Sequence, residues 1–249
     1  MTGDADPQST KWRPRSAMVL AAGLGKRMRP LTDHRPKPLI SVAGIPLIDR
    51  GLDQLAAANI DRAVVNVHYL AALIETHLAA RRKPEILISD ERQALLETGG
   101  GMAKALPLLG DEPFVLLNSD SFWQDVGEPS LQSLIDRWDD VRMDILLLLA
   151  DPVTSIGFDG AGDFHLDAAG RLSRRSDDRQ TAWVYTGVAI VHPRCFADAP
   201  DGAFSFNLQF DAAISRGRLF GQVLDGTWYH VGTPAAISEA EAALAARAT

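Results

Sequence analysis

The chain carries Met18-Val-Leu-Ala-Ala-Gly-Leu-Gly-Lys-Arg-Met-Arg-Pro30 near its start, followed by Arg35-Pro-Lys-Pro-Leu39. The apolar run at residues 18–21 predicts a buried first strand. A glycine turn follows, and three cations come directly after it: Lys26, Arg27 and Arg29. Glycine backbone lets a chain of phosphates approach closely, and cations at the same place neutralise its charge. The stretch therefore predicts a polyphosphate-binding loop at the end of the first strand.

Two common phosphate-binding patterns are excluded. A P-loop needs a longer spacing between its glycines than that between Gly23 and Gly25, and a Lys-Ser/Thr pair after them. Here Arg27 follows Lys26 instead. The dinucleotide-binding fingerprint needs a third glycine, but Met28 stands at that place.

The composition narrows the class of partner. The 249 residues carry a formal net charge of -7, with 46% hydrophobic and 23% charged residues, as in an ordinary globular protein. An acidic chain lacks the broad basic surface that nucleic acid requires. Five cations nevertheless fall within twelve residues, opposed only by Asp33, so we expect a local pocket for a small anionic substrate. These cations are Lys26, Arg27, Arg29, Arg35 and Lys37.

The cysteine content and the apolar runs bear on where the protein works. Cys195 is the single cysteine, which favours a reducing compartment, and we interpret it as a packed thiol. Residues 1–15 are polar and lack the apolar core of a signal peptide, so we interpret them as a flexible extension. The longest apolar run, Ile145–Ala150, is too short to cross a bilayer. These features predict a cytoplasmic protein without a membrane partner.

Strand and helix patterns alternate along the chain. We predict early strands at 63–67, 85–89, 113–117 and 144–150, and helices at 45–58, 71–82 and 129–139. A turn at Gly99-Gly-Gly101 is predicted to open a further helix through residue 109. Later strands are predicted at 163–166, 171–173, 183–191, 219–224 and 227–231, with helices at 208–216 and 234–246.

This order implies right-handed βαβ units. We expect one Rossmann-like α/β domain at residues 16–249, with a central, mostly parallel or mixed sheet between two helical layers. Its nucleotide-binding part is expected at about 16–125 and its sugar-binding part at about 126–249, since no linker separates them.

Both parts of the opening stretch match the signature of the sugar-1-phosphate nucleotidyltransferases, Leu-Ala-Ala-Gly-x-Gly-x-Arg-(Leu/Met)-x-Pro followed by Pro-Lys-Pro-(Leu/Met). The resemblance implies that a sugar-phosphate oxygen attacks the α-phosphorus of a nucleoside triphosphate and releases pyrophosphate. It assigns Arg27 to the triphosphate and Lys37 to the phosphates around the reacting phosphorus, both as catalytic residues. Nucleotide contacts are expected also from Ala22, Gly23, Gly25 and Lys26.

The next group of polar residues is Asn118-Ser-Asp120, after an apolar strand. Such a position lies at the carboxyl edge of a parallel sheet, where ligands bind. The family motif there is Asn-Gly-Asp, so the resemblance makes Asp120 the catalytic ligand of Mg²⁺ and Asn118 a nucleotide contact. An alternative interpretation is that Asp120 caps a helix over residues 122–125.

A second metal ligand of the family, an Asp in Trp-x-Asp-x-Gly-Thr, corresponds to His230 in Trp228-Tyr-His-Val-Gly-Thr233. Neutral imidazole is a poor ligand for Mg²⁺ and suits softer metals better. Three alternatives stay open: His230 acts through water or a phosphate hydrogen bond, the site accepts Mn²⁺, or the second ligand is absent.

Leu95-Leu-Glu-Thr-Gly-Gly-Gly101 resembles the loop that recognises the base. Glu97 has an acceptor for the N3–H of a pyrimidine, and Gly99 or Gly100 could donate to a base carbonyl. Asn66 follows a predicted strand and is expected to line the same cleft. The alternative is a plain turn between a strand and a helix.

Two further segments, Gly162-Asp-Phe164 and Tyr185-Thr-Gly187, resemble those that line the sugar half of the family's cleft. Asp163 and Thr186 would bind sugar hydroxyls, and Gly187 would offer open backbone. Both segments are equally consistent with turns.

Within the family, these segments most resemble members that use UTP and MurNAc-1-phosphate in cell-wall sugar recycling. Transfer of GMP to mannose-1-phosphate or of dTMP to glucose-1-phosphate remains an alternative. A different class, a catalytically silent subunit that binds nucleotide sugars, is permitted by His230. We expect a monomer or a small homo-oligomer.

Overall fold

The computed structural model describes residues 12–176 and 182–247, so part of the predicted N-terminal extension lies outside it. Thirteen strands and six α-helices lie in these residues. The strands are β1 (Ser16–Leu20), β2 (Ser41–Val42), β3 (Ile45–Pro46), β4 (Arg62–Val67), β5 (Glu85–Asp90), β6 (Phe114–Asn118), β7 (Ser121–Asp125), β8 (Ile145–Ala150), β9 (Phe164–Leu166), β10 (Leu172–Arg174), β11 (Val184–Val191), β12 (Leu219–Val223) and β13 (Gly226–His230). The helices are α1 (Leu47–Ala57), α2 (Ala71–Leu78), α3 (Glu97–Leu109), α4 (Ser130–Arg137), α5 (Asn207–Ser215) and α6 (Pro234–Arg247).

Seven of the strands form one mixed sheet in the order β12-β8-β11-β6-β1-β4-β5. Its neighbouring strands pair in parallel except at β11, which is antiparallel to both β6 and β8. The carboxyl ends of β1, β4 and β6 therefore share an edge with the beginning of β11. Strands from both halves of the chain belong to this sheet, which confirms the predicted α/β fold class.

Helices cover both faces of the sheet because successive residues of each strand point to opposite sides. Ala17 and Val19 of β1 belong to one fully buried cluster, together with apolar residues of α1, α2 and α4. Met18 belongs to a second cluster with residues of α3 and α5. Complete burial of a side chain such as Leu52 contributes roughly 1.5–3 kcal/mol. The three-layer arrangement is thus held by apolar packing.

A separate two-stranded antiparallel sheet lies beside the main sheet and joins distant parts of the chain. Strands β7 and β13 are antiparallel, and His230 lies opposite Ser121. The Val231 N–H donates to the Asp120 carbonyl at 3.0 Å, so residues 120 and 230 are neighbours. The alternative that Asp120 caps a helix over 122–125 is wrong, since those residues are part of β7.

The glycine triplet lies inside a helix, which corrects the predicted turn at Gly99-Gly-Gly101. Helix α3 already begins at Glu97. A Cβ at Gly99 would lie 2.3 Å from the Phe204 ring, and one at Gly100 only 2.2 Å from the Gly202 carbonyl oxygen. Gly99 and Gly100 are therefore required by close packing against the segment at residues 202–204, whereas a Cβ at Gly101 would meet Glu91 and Asn66.

Among the described residues, no helix combines the length and apolar character of a membrane span.

Candidate active site

The glycine loop folds back on itself at the carboxyl end of β1. Gly25 adopts a left-handed conformation with φ of 61°, and a Cβ there would lie 3.0 Å from Thr32 and 3.2 Å from Lys37. A short 3₁₀ turn at Lys26–Met28 follows, and the Thr32 hydroxyl donates to the Gly25 carbonyl at 2.9 Å. These contacts require glycine at position 25 and place the loop against Lys37.

Lys37 and Asp120, 83 residues apart, form an ion pair at this edge. The Lys37 Nζ donates to Asp120 Oδ2 at 2.8 Å, and the two side chains are 11% and 30% exposed. Lys37 opens a 3₁₀ turn after Pro36, which has φ of -66°. The proline ring restricts the backbone before the lysine and so aims its side chain. Two of the predicted catalytic residues are therefore in direct contact.

The surrounding charges keep Asp120 ionised. Burial alone would raise the pKa of its carboxyl group, but the hydrogen-bonded ammonium of Lys37 lowers it. His230 and Arg27 act in the same direction, and the net pKa lies below its usual value. Asp120 is accordingly a carboxylate at neutral pH.

His230 and Arg27 converge beside this pair. A Cβ at Gly232 would lie 2.6 Å from His230 Nε2 and 3.3 Å from Arg27 Nη1. Both side chains line a cavity of about 710 Å³, here called the histidine cavity, together with Thr233. Burial lowers the pKa of His230, and Lys37 and Arg27 lower it further against the opposing effect of Asp120. The imidazole is therefore neutral at pH 7.

The oxygen atoms available for a metal ion fit a magnesium site with few protein ligands. Asp120 Oδ2 is taken by Lys37, while Oδ1 has no hydrogen-bond donor among the described residues. Residues 12–176 and 182–247 contain no group of three or more His, Cys, Asp or Glu side chains arranged to hold a metal. Magnesium commonly takes one or two carboxylates and completes its shell with water and substrate phosphates. Asp120 can supply that carboxylate.

A cavity of about 420 Å³, here called the central cavity, opens at the carboxyl ends of β1, β4 and β6. It brings together most of the predicted nucleotide contacts, although Gly25, Lys26, Arg27 and Gly100 are not in its wall. The predicted residues that line it are Ala22, Gly23, Lys37, Asn66, Glu97, Asn118 and Asp120.

Asn66 lines this cavity, and both polar atoms of its side chain are hydrogen-bonded within the protein. Its Oδ1 accepts from the Ala21 N–H at 2.7 Å, and its Nδ2 donates to Glu91 at 2.8 Å. Glu91 is 1% exposed and also accepts from the Leu96 N–H at 3.1 Å. Asn66 and Glu91 thus hold the start of the glycine loop and the segment before α3. Sequence reasoning missed Glu91, because no pattern around it signals burial.

The predicted backbone donors for a base carbonyl are occupied. The N–H groups of Gly99 and Gly100 both donate to the Phe204 carbonyl, at 2.8 and 3.1 Å. Neither N–H group is free in this structure, and the contact of Gly99 or Gly100 with a base stays a prediction. Glu97 is exposed and stands at the wall of the central cavity, so its assignment to the base stays a prediction.

A third cavity of about 310 Å³, here called the side cavity, shares Leu20, Thr98, Asn118 and Ser205 with the central cavity. Its wall contains Asp163, whose contact with the sugar stays a prediction, and residues that sequence reasoning did not select, among them Arg174, Phe206 and Asn207. A lone arginine in a short strand carries no local signal for a cavity.

Thr186 and Gly187 support the side cavity and do not line it. The Thr186 side chain is 1% exposed and donates to the Leu148 carbonyl at 2.9 Å, so the predicted contact with a sugar hydroxyl is wrong. Gly187 has φ of 87°, and a Cβ there would lie 2.7 Å from Asn118 Cβ. The absence of a side chain at 187 is what leaves Asn118 its place between the two cavities.

Known proteins resemble this chain over most of its length. The family model described as nucleotidyl transferase matches residues 16–155. N-acetylmuramate alpha-1-phosphate uridylyltransferase of Caulobacter vibrioides is 48% identical over 93% of this chain and 98% of the relative. The protein of the same name from Neisseria meningitidis is 35% identical over 91% and 96%.

Solved structures agree in fold. The inositol-1-phosphate CTP transferase of T. maritima superposes with a TM-score of 0.73 at 20% identity, covering 93% of this chain and 98% of that one. UDP-glucose pyrophosphorylase in complex with UDP-glucose has a TM-score of 0.73 at 17% identity, with 94% and 100% covered. The family model and the relative that is 48% identical show that the chain belongs to the nucleotidyl transferase family, as a sugar-1-phosphate nucleotidyltransferase.

Proposed function

We propose that this protein transfers UMP from UTP to MurNAc-1-phosphate in the presence of Mg²⁺, giving UDP-MurNAc and pyrophosphate. The observation that carries the proposal is the Lys37–Asp120 pair, 2.8 Å across, at the junction of the glycine loop and the central cavity. The choice of base and sugar is supported by the name of the relative that is 48% identical over 93% of the chain.

The reaction joins two anions that repel each other, so positioning and charge neutralisation are the main tasks of the protein. Lys37 would bind the phosphates around the α-phosphorus, and its pair with Asp120 fixes the direction of its ammonium group. Arg27, on the wall of the histidine cavity, would bind the remaining triphosphate oxygens through its guanidinium fork. Bound Mg²⁺ would neutralise developing charge. The attacking sugar phosphate is already ionised, so no general base is required.

His230 fits a hydrogen-bonding role better than direct ligation of Mg²⁺. Its imidazole is held neutral by burial and by the nearby cations. A neutral ring nitrogen can donate to a phosphate oxygen, whereas Mg²⁺ prefers oxygen ligands. We accordingly assign His230 to a phosphate on the side of Arg27.

The biological setting follows from the proposed product. A UDP-sugar made from a recovered sugar phosphate would serve the recycling of cell-wall sugars. UTP and Mg²⁺ are supplied in the cytoplasm, and the free, buried Cys195 suits a reducing compartment. We propose the cytoplasm as its location.

A pyrophosphate-release assay tests the proposal. The protein is incubated with UTP, CTP, GTP or dTTP and with MurNAc-1-phosphate, GlcNAc-1-phosphate, mannose-1-phosphate or glucose-1-phosphate, each with Mg²⁺, Mn²⁺ or EDTA. We expect the highest kcat/KM for UTP with MurNAc-1-phosphate, and no turnover in the presence of EDTA. Preference for GTP with mannose-1-phosphate, or for dTTP with glucose-1-phosphate, would replace the assignment by one of these alternatives.

A further inference from the structure

The side cavity has polar groups that no protein partner uses. Its wall includes Arg174 from β10, Asp163 just before β9 and Tyr185 from β11. Asp163 Oδ2 accepts from the Tyr185 N–H at 2.9 Å, which fixes the carboxylate against the sheet. The Tyr185 hydroxyl is buried and has no hydrogen-bond partner within the part of the chain that the structure describes. Such a group needs a partner from a ligand or water.

Hydrogen bonds and two aromatic rings orient Arg174 at this wall, although its side chain is 39% exposed. Its Nε donates to Asp211 Oδ1 at 2.7 Å, and its Nη2 donates to Asn207 Oδ1 at 3.0 Å. The guanidinium also lies over the rings of Phe164 and Phe210, with centroids at 5.0 and 5.6 Å. All these contacts fix the plane of the group. Its orientation is therefore set before any ligand arrives.

One amino group of the Arg174 guanidinium, Nη1, has no hydrogen-bond acceptor within the part of the chain that the structure describes. A fixed guanidinium with unused N–H groups is a strong donor to carboxylate oxygens. Asp163 is the other charged residue of the wall, so the cavity presents one cation and one carboxylate. This pair suits a ligand with an acidic substituent and with hydroxyl or amide N–H donors.

We propose that Arg174 is a specificity-determining residue that binds a carboxylate on the sugar phosphate. The inference rests on the proposed function, because MurNAc-1-phosphate differs from GlcNAc-1-phosphate by a lactyl ether that ends in a carboxylate. The side cavity adjoins the central cavity at Asn118, next to the segment that ends in Asp120. A sugar seated there would have its phosphate toward the ion pair and its substituents toward Arg174.

The test compares two acceptors and four proteins. Initial rates with UTP are measured on MurNAc-1-phosphate and GlcNAc-1-phosphate for the wild type, Arg174→Gln, Asp211→Asn and the control Arg171→Gln. Arg171 stands beside β10 and pairs with Asp167 at 2.9 Å, away from the cavity wall. Binding of UDP-MurNAc and UDP-GlcNAc is measured by calorimetry on the same proteins.

We expect Arg174→Gln to lower kcat/KM for MurNAc-1-phosphate by roughly 10- to 100-fold, the usual worth of a hydrogen bond to a charged group. The value for GlcNAc-1-phosphate should change by less than about threefold, and UDP-MurNAc binding should weaken in parallel. Arg171→Gln should change neither acceptor. Asp211→Asn keeps the cation, so it should retain most of the preference for the carboxylated sugar.

Equal losses of Arg174→Gln on both acceptors, matched by Asp211→Asn, would mean that Arg174 only packs β10 against α5, and would overturn the inference. An unchanged ratio of the two kcat/KM values would overturn it as well. Absence of turnover by the wild type with UTP on either acceptor would instead overturn the proposed function, and the inference would fall with it.

Discussion

The Lys37–Asp120 pair can be tested by a double-mutant cycle on stability without substrate. At 2.8 Å, two unit charges interact by about 6 kcal/mol at an effective dielectric constant of about 20. Desolvation offsets much of this, because Lys37 is only 11% exposed. Asp120 is 30% exposed, so solvent screens it partly. We expect a coupling of about 2 kcal/mol to remain in the free protein.

The cycle uses Lys37→Met, Asp120→Asn and the double variant. Each single variant leaves one desolvated group unpaired and should lose about 2 kcal/mol of unfolding free energy, or about 4–8 °C in Tm for a domain of this size. The double variant should lose little more than either single one. The assay is urea unfolding followed by circular dichroism at pH 7.5, with EDTA and without nucleotide.

A matched cycle on an exposed pair serves as control. Arg15 Nε and Asp61 Oδ2 lie at a similar distance, 2.9 Å, but their side chains are 82% and 60% exposed. Their coupling in Arg15→Gln and Asp61→Asn should lie close to zero. A coupling at Lys37–Asp120 no larger than this control would refute the reasoning, since the pair would then not exist in the free enzyme. All three variants of the active pair should also lose about 10³-fold or more in kcat.

Three further outcomes are expected. Gly187→Ala should lower the unfolding free energy by about 2 kcal/mol in urea titrations and raise the KM for UTP, because its Cβ would strike Asn118 at a φ of 87°. Tyr185→Phe should leave the free energy of unfolding unchanged or raise it by up to about 1 kcal/mol, since it removes a buried hydroxyl without a described partner. The KM of this variant for the sugar phosphate should rise severalfold. Burial raises the pKa of the Cys195 thiol to about 12, so about 10⁻⁴ of it is thiolate at pH 8. Ellman's reagent should thus titrate Cys195 only in urea, and immediate reaction of the folded protein would contradict this.

The helices and strands could largely be predicted because each is periodic in apolar residues. The predicted strand at 63–67 and the observed β4, Arg62–Val67, differ by one residue. Helix α2 ends at Leu78, short of the predicted residue 82, because Pro84 and the polar run at 81–83 favour an earlier end. The direction of β11 was not predictable, since an apolar run indicates burial and says nothing about orientation.

The candidate site was predictable where the chain matches a long motif and unpredictable where tertiary contacts decide. Lys37 and Asp120 stand in such motifs, and the fold joins them. Gly100 stands in one too, but its N–H is taken by the Phe204 carbonyl, which arrives from a distant segment. Arg174 belongs to no motif, and its position depends on Asp211 and on two aromatic rings. Sequence alone gives neither the partners nor the cavity.

Histidine at position 230 changes the charge balance of the site and so affects whether the metal ion binds before the nucleotide or together with it. An acid at 230 would set two carboxylates against Lys37 and Arg27, which both lie within electrostatic reach of Asp120. A neutral imidazole leaves Asp120, with Asp159 nearby, facing Lys37 and Arg27, so the site lacks the negative charge that an acid at 230 would add. Such a site attracts a free divalent cation less strongly than a site with an acid at 230 would, and it offers its two cations to a triphosphate. We therefore expect Mg²⁺ to enter with the nucleotide, held by phosphate oxygens that supply the negative charge missing at residue 230.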